Sequence, residues 1–316
     1  MKIFWKILLI ILIIFFAVIA IIFLLKEKIF IFNKSQIVGD SVFVERVSIL
    51  AFGDMMLDRN VYLQTQKSKD FNYPFLNIDS FLKEADIRMA NLEGPITSFN
   101  SVAIKDNRMR FTISPDFLPA LKSRFEILGL ANNHMLDFGE DGYNQTKEFL
   151  GSAGIKYFGD FKNRPENLFA IIEKNKIKIG FVGYHALDFK NLEEIVKEIK
   201  DIKSKTDFVI VFAHWGGEYQ TKPVISQKEE AKMFIDAGAD FVLGSHPHVV
   251  QPNEEYKGKP IFYSLGNFVF DQYFSEATME GLAIKILLEK SGNEIKFSYN
   301  SFLIKISKDS QPELKQ

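Results

Sequence analysis

Phe208–Trp215 reads FVIVFAHW: an unbroken apolar run that stops at His214, with Gly216, Gly217 and Glu218 directly after it. A run of this length, rich in β-branched and aromatic residues, suits a strand buried on both faces, as in parallel sheets covered by helices. The same pattern recurs outward in both directions. Before it stand Val47–Asp54 (VSILAFGD), Ile87–Glu93 (IRMANLE), Ile127–His134 (ILGLANNH) and Ile177–His185 (IKIGFVGYH); after it come Phe241–His248 (FVLGSHPH) and Ile261–Asn267 (IFYSLGN). Between these runs the spacing of apolar residues predicts helices over Asp141–Ala153 with Gly154 as C-cap, Leu192–Lys203, and Gln227–Ala237 ending at Gly238. Strands alternating with helices predict an α/β fold, and in such sheets ligands gather beyond the carboxyl ends of the strands. That is where the polar residues cluster here. Leu282–Glu289 and Glu294–Lys305 predict a closing antiparallel hairpin around Ser291, Gly292 and Asn293, and the tail Asp309–Gln316 is expected to fray.

The chain has 316 residues, of which 25% are charged and 47% hydrophobic, a globular balance that excludes wholesale disorder. It has no cysteine, so a disulfide framework, a thiolate zinc site, an iron–sulfur cluster and a cysteine nucleophile are all excluded. Residues 7–25 are apolar without a single charge, and a helix of that length spans about 28 Å, enough to cross a bilayer. Lys2 and Lys6 flank one end, Lys26 and Lys28 the other. The apolar core is too long for a usual signal peptide and no small-residue cleavage pattern follows it, so an uncleaved single anchor is expected. The resulting division is an anchor over 1–28, a juxtamembrane linker over 29–46, a soluble domain over 47–308 and a tail over 309–316. Counted literally, Lys26, Lys28, Lys34 and Arg46 against Lys2 and Lys6 favour a cytoplasmic domain. Formal net charge is −1, and without residues 1–39 the remainder is mildly acidic with no basic stripe, which argues against nucleic acid as a partner.

The histidines and acids at the strand ends carry the chemistry. His246 and His248 flank Pro247, so one turn can present both rings, and neutral imidazole is a preferred ligand of zinc, iron and manganese-like ions. Asn133 offers an amide oxygen to a hard cation, and His134 beside it can act as an acid. His214 closes its own strand, while Asp54 and Glu93 close the first two. His185 has no second polar partner near it in the sequence and reads as structural. Each of these residues alone has an ordinary reading as a turn, a cap or a buried histidine bonded to backbone. Their concentration at six strand ends points to a divalent-metal site, and oxygen and nitrogen donors without thiolate suit Mn, Fe or Zn, one ion or two. Arg59, Asn91, Glu218 and Asn267 are candidates to steady the ligands or hold substrate, Arg59 by a bidentate contact with an anion. No phosphate-binding loop of the GxxxxGK[ST] kind, no GxGxxG and no GxSxG elbow occurs.

Six ordered motifs, GDMMLDR (53–59), ANLEGPIT (90–97), LANNHMLDFGEDG (130–142), AHWGGEYQ (213–220), GSHPHVVQP (244–252) and IFYSLGNFVFD (261–271), make the chain similar to the CapA family of bacterial capsule or poly-γ-glutamate synthesis proteins, within the metallophosphoesterase superfamily. The resemblance implies a four-layer α/β/β/α sandwich behind one N-terminal transmembrane helix. It also implies a domain outside the cytoplasm, against the lysine count. On the matching positions it implies that Asp54 and His248 hold a first metal, that Asn133, His214 and His246 hold a second, and that Glu93 bridges them. His134 is implied as proton donor to a leaving oxygen. Two departures stand out: Met56 occupies the place of a usual histidine, and Glu93 that of a usual aspartate. The first metal is therefore expected to be weaker or absent. Three functions follow: synthesis, attachment or export of a capsular polymer; metal-dependent hydrolysis of another phosphoester or polymer; or a non-catalytic scaffold for an anionic chain. The implied partners are the membrane, an anionic polymer or phosphoester, and other membrane proteins of a polymer synthase.

Overall fold

The computed structural model describes residues 44–103, 109–188 and 190–315, with positions 1, 3, 5, 18–22 and 26 near the N-terminus. Residues Met1–Val44 and Glu45–Gln316 form separate units. In the first, positions 18–22 are helical. The expected anchor over 1–28 and linker over 29–46 lie mostly outside the described residues, and no helix among the described residues is long and apolar enough to cross a membrane.

The second unit is a mixed α/β sandwich of two sheets. In chain order its strands are β1 (Glu45–Met55), β2 (Ile87–Leu92), β3 (Ile127–Gly129), β4 (Lys156–Phe158), β5 (Phe169–Lys174), β6 (Ile177–His185) and β7 (Phe208–His214), then β8 (Phe241–Ser245), β9 (Asn253–Tyr256), β10 (Lys259–Phe262), β11 (Asn267–Val269), β12 (Glu280–Ser291), β13 (Glu294–Ile306) and β14 (Pro312–Leu314). Its helices are α1 (Arg59–Ser68), α2 (Asp79–Leu82), α3 (Leu118–Lys122), α4 (Gly139–Ala153), α5 (Leu192–Lys203) and α6 (Ile225–Ala237). One sheet runs β14-β13-β12-β1-β2-β3-β4, with β11 also pairing to β1; the other runs β5-β6-β7-β8-β10-β9. The strands that end at polar clusters, β1 to β3 in one sheet and β6 to β8 in the other, pair in parallel.

Why both strand faces are apolar is plain from the core. Side chains alternate between the faces of a strand. On β1, Leu50 and Phe52 pack with Leu121, Tyr143 and Leu150 of the adjoining helices. Val47, Ile49 and Ala51 pack instead with Ile179, Phe181, Ile210 and Phe212 of the opposite sheet. On β7 the other parity, Val209, Val211 and Ala213, meets Ile199 and Phe234 of α5 and α6. Each such Val, Leu, Ile or Phe side chain contributes about 1.5–3 kcal/mol on burial.

Four local expectations need correction. The run Ile127–His134 does not stay extended: β3 stops at Gly129, and Asn133–Leu136 winds into a 3-10 turn. The run Ile261–Asn267 is not one strand. Its first part is β10 in one sheet and its last residue opens β11 in the other, so the chain crosses between sheets. The tail does not fray; β14 pairs with β13, Ile304 opposite Leu314, which satisfies its backbone. The helix expected to begin at Gln227 begins at Ile225, where Gln227 Oε1 accepts from the Val224 N–H (2.9 Å).

The crossing segment is what brings the two sheets' polar ends together. Leu265 N–H donates to Gly244 O of β8 (2.9 Å), and Asp54 N–H of β1 donates to Gly266 O (3.1 Å). Two glycines make room for it. A Cβ at Gly53 would lie 1.9 Å from Gly266 O, and one at Gly244 would lie 2.0 Å from Tyr263 O.

Candidate metal centre

On the first sheet, Asp54 and Asn91 are register partners at the ends of β1 and β2, and Glu93 follows one residue beyond β2. Asp54 and Glu93 are fully buried. Glu93 is held by its N–H to Met55 O (2.9 Å). Asn91 Nδ2 donates to Asp54 Oδ1 (2.7 Å) and also to Glu93 Oε2, so one amide serves both carboxylates. Asn132 in turn fixes Asn91, donating from Nδ2 to Asn91 Oδ1 (2.9 Å) and Leu92 O (2.8 Å).

The second sheet supplies the rings. His214 is the last residue of β7, opposite Ser245 of β8. Its Nε2 lies 2.7 Å from Asn133 Oδ1, and its Nδ1 lies 3.0 Å from Ser245 Oγ. His246 donates its backbone N–H to Asp54 Oδ2 across the sheets (3.1 Å). His248 Nδ1 faces Asn267 Oδ1 (3.0 Å) and Asp54 Oδ2 (3.2 Å). The Asn267 amide nitrogen is spent on Gln272 Oε1 and Thr278 O, so its oxygen must accept. His248 therefore carries its proton on Nδ1, and Nε2 is left with a lone pair. His246 and His248 hold positive φ, 91° and 57°, a costly backbone in a residue with a Cβ. His134 lies at the edge. Its Nδ1 donates to Asp137 Oδ2 (2.7 Å), its ring stacks on Phe111, and its Nε2 is 4.0 Å from Glu93 Oε1.

The electrostatics of the cluster suit a cation. Among the described residues, Asp54 and Glu93 have no lysine or arginine partner; their only ion-pair neighbours are histidines. Burial, with the adjacent Asp54 charge, pushes Glu93 well above the ordinary carboxylate range. Burial and neighbouring rings push His214 far down and His246 down to about 3. Buried acids thus face rings that resist taking a proton. Three buried atoms in this cluster, Glu93 Oε1, Asn132 Oδ1 and His246 Nδ1, have no hydrogen-bond partner. Buried polar atoms are nearly always satisfied, and Glu93 Oε1 and His246 Nδ1 are atoms that a bound cation would satisfy. Two groups of three donors have ligand atoms within 4.8 Å of one another: Asp54, Glu93 and His214, and Glu218, His246 and His248. Carboxylate, imidazole and amide oxygen together fit Mn, Fe or Zn.

The pairs implied by the family resemblance are neighbours as well: His248 Nδ1 lies 3.2 Å from Asp54 Oδ2, and the His214 and His246 ring centroids are 4.7 Å apart. His214 shares its group with Asp54 and Glu93, and His246 shares its group with His248 and Glu218. Asn133 stays beside His214. Met56 is buried and its sulfur accepts the Asp58 N–H (3.0 Å), so it serves a turn. Arg59 is not aimed freely at an anion: Nε reaches both oxygens of Asp271 (3.0 and 3.1 Å), a second nitrogen pairs with the same carboxylate, and the guanidinium lies over Phe111 and Phe270. His185 Nδ1 donates to Phe161 O (2.7 Å) while Nε2 is buried without a partner; it lies beside His214 in the next strand and burial lowers its pKa. Sequence reasoning passed over Asp137, Gln272 and Asp271, and noted Asn132 and Ser245 only as neighbours of the site residues. Only Asp137, three residues after His134, carried a local signal, since side chains three apart in a helical turn lie together.

A family model described as bacterial capsule synthesis protein PGA_cap matches residues 48–272. Capsule biosynthesis protein CapA of Bacillus anthracis is 30% identical over 273 residues, covering 79% of this chain and 66% of that protein. PGA biosynthesis protein CapA of Bacillus subtilis (strain 168) is 31% identical over 261 residues, covering 76% of this chain and 67% of that protein. The matched region thus spans about two thirds of each relative's length. Among solved structures, a hypothetical protein from Thermus thermophilus superposes with a TM-score of 0.50 at 14% identity, covering 81% of this chain and 99% of that one; the likeness is one of fold.

Proposed function

The chain belongs to the bacterial capsule synthesis PGA_cap family, and from that premise we propose that it acts on an anionic capsular polymer of the poly-γ-glutamate type, in synthesis, attachment or export, through a divalent-metal centre. The observation that carries this reading is the buried Asp54–Glu93 pair, which meets histidines and, among the described residues, no lysine or arginine. We read the architecture as a four-layer α/β/β/α sandwich of metallophosphoesterase-like kind, anchored by residues 1–28 as a single-pass membrane protein, with the domain outside the cytoplasm. Other membrane proteins of a polymer synthase are its partners in this reading.

Asp54, Glu93, Asn133, His214, His246 and His248 would hold the metal. A divalent ion bound there lowers the pKa of water and stabilises charge on an attacked phosphoryl or acyl oxygen. The residues do the rest. Asn91 keeps both carboxylates turned inward. Asp137 orients His134 so that Nε2 faces the cluster and can deliver a proton to a leaving oxygen. The aromatic wall of Phe111 and Phe270 limits water on that side.

The test combines cells and enzyme. Deleting the gene should remove surface polymer; the wild-type gene should restore it, and Glu93→Ala should not. Hydrolysis of a poly-γ-glutamate or phosphodiester probe by the purified chain should be lost on chelation and with His134→Ala. Polymer restored by Glu93→Ala would sink the reading, and polymer dependence with no hydrolysis by any preparation would favour the scaffold function.

A further inference from the structure

We propose that a polar cleft behind the Phe111 wall binds a sugar ring, a neutral polyhydroxylated ligand, at a place separate from the metal centre. The cleft has a volume of about 430 Å³, within the range of about 300–1,000 Å³ usual for small-molecule sites. Asp58, Tyr62, Thr97, Phe99, Ser101 and Thr112 carry its chemistry. Among the described residues no lysine or arginine lines it, so an anion would find no countercharge there. None of the candidate metal ligands lines it either. Phe111 and Thr112 are consecutive, and the division falls between them: the Phe111 ring stacks on His134, while Thr112 lines the cleft.

The donors and acceptors inside select a hydroxyl group. Asp58 is buried, and its carboxylate accepts from the Arg59 N–H (2.7 Å), the Thr112 N–H (2.9 Å) and the Ser101 side chain. An ionised carboxylate offers about four lone pairs, so one is left to accept. The Thr97 and Thr112 hydroxyls are buried and bonded to each other. Whichever of them donates, the other keeps a proton for a third group. A ligand hydroxyl gives one hydrogen bond and takes another, and so satisfies both. An ammonium would leave the threonine proton unmatched, and a carboxylate would leave Asp58 facing a like charge; both are costly in a buried place. The rim is held in place before any ligand arrives. Thr97 N–H donates to Ile113 O (3.1 Å), Phe99 N–H to Thr97 Oγ1 (3.1 Å), and Ser98 N–H to Gln145 Oε1 of α4 (3.0 Å). This loop presents the exposed Phe99 ring, steadied by stacking on Phe138 with centroids 5.6 Å apart. An aromatic ring beside hydroxyl-matching groups suits a sugar, which has an apolar C–H face and hydroxyls around its edge.

The experiment uses the metal-stripped full chain, so that failure of the metal-centre reading leaves it interpretable. Saturation-transfer NMR reads binding of methyl glucoside, N-acetylglucosamine and a tetramer of N-acetylglucosamine, beside glycerol, acetate and methylammonium. The single sugars, of about a dozen heavy atoms, should bind with a Kd on the order of 1 mM. Glycerol should bind more weakly, and acetate and methylammonium not at all. A tetramer that binds more tightly than the monomer places the ring within a glycan chain, and equal binding places it in a free sugar; either supports the assignment. Thr97→Val with Thr112→Val removes the hydroxyl pair together, strands neither partner, and should weaken sugar binding about tenfold. Phe99→Ala changes an exposed position, should melt as the wild type does, and should weaken sugar binding about threefold or more. Unchanged sugar binding in either variant, glycerol binding as tightly as the sugars, or a wild type that binds no sugar overturns the assignment.

Discussion

Glu93→Gln should stabilise the protein without metal and remove the stabilisation that metal confers, a reversal of sign that few buried substitutions would produce. Glu93 and Asp54 present ligand oxygens no more than 4.8 Å apart in a fully buried place. At an effective dielectric constant near 20 their repulsion is about 3.5 kcal/mol. Glutamine keeps the shape and can still accept from Asn91, but it gives up the charge on that hydrogen bond, a loss of about 1–1.5 kcal/mol. The net gain is about 2 kcal/mol, or roughly 4–8 °C in Tm for a domain of this size. The gain depends on pH in a fixed direction. Folding raises the Glu93 pKa above its ordinary 4.5, so ionisation destabilises the wild type fully above the raised value and not at all below 4.5. With metal the order inverts: an ion at about 1,000 times its Kd stabilises the wild type by about 4 kcal/mol, and the variant should gain much less. Thermal melts at pH 8 and pH 4.5, with chelator and with Mn²⁺, read all four corners. A metal-free Glu93→Gln chain that melts below the wild type at pH 8, or one that keeps the full Mn²⁺ shift, would refute the reasoning.

Other perturbations test the parts around it. Asn91→Ala removes the amide shared by two buried carboxylates and should cost about 2–3 kcal/mol without metal, less with it, as read by chemical denaturation; equal losses in both states would deny Asn91 that role. Acid should weaken the metal-free chain from about pH 6.5 downward, because His185, His214 and His246 take up protons more readily unfolded than folded. Each contributes about 1.4 kcal/mol per pH unit until its folded value is reached, about 3 for His246, while Glu93 opposes one of them by protonating first in the folded state. A urea midpoint that is flat from pH 7 to 5 would contradict this. Gly244→Ala puts a methyl 2.0 Å from Tyr263 O and 2.6 Å from the Trp215 indole nitrogen, and should lower stability by at least about 1–3 kcal/mol; an unchanged Tm would mean the crossing strap yields freely.

Much of this molecule was legible from residues alone, for a local reason. An apolar run such as Phe208–Ala213 reports that both strand faces are buried, and the abrupt change at His214 reports where the strand leaves the core. Period and punctuation are properties of neighbours in sequence, so the parallel strands, the helices ending at Gly154 and Gly238, and the polar strand ends could be read directly. The partners could not. Asp54 meets the N–H of His246 across 192 positions, Arg59 meets Asp271 across 212, and Glu218 comes near His246 and His248 where Tyr219 is bonded to Pro247. The division of Ile261–Asn267 between two sheets is equally nonlocal. It depends on Gly53 and Gly244 both admitting the strap, and nothing in the segment itself records that. Sequence thus determined which groups are available at the strand ends. Tertiary structure decided which of them lie close enough together to serve one cation, because the donors' separation is set by how two sheets register through one crossing segment.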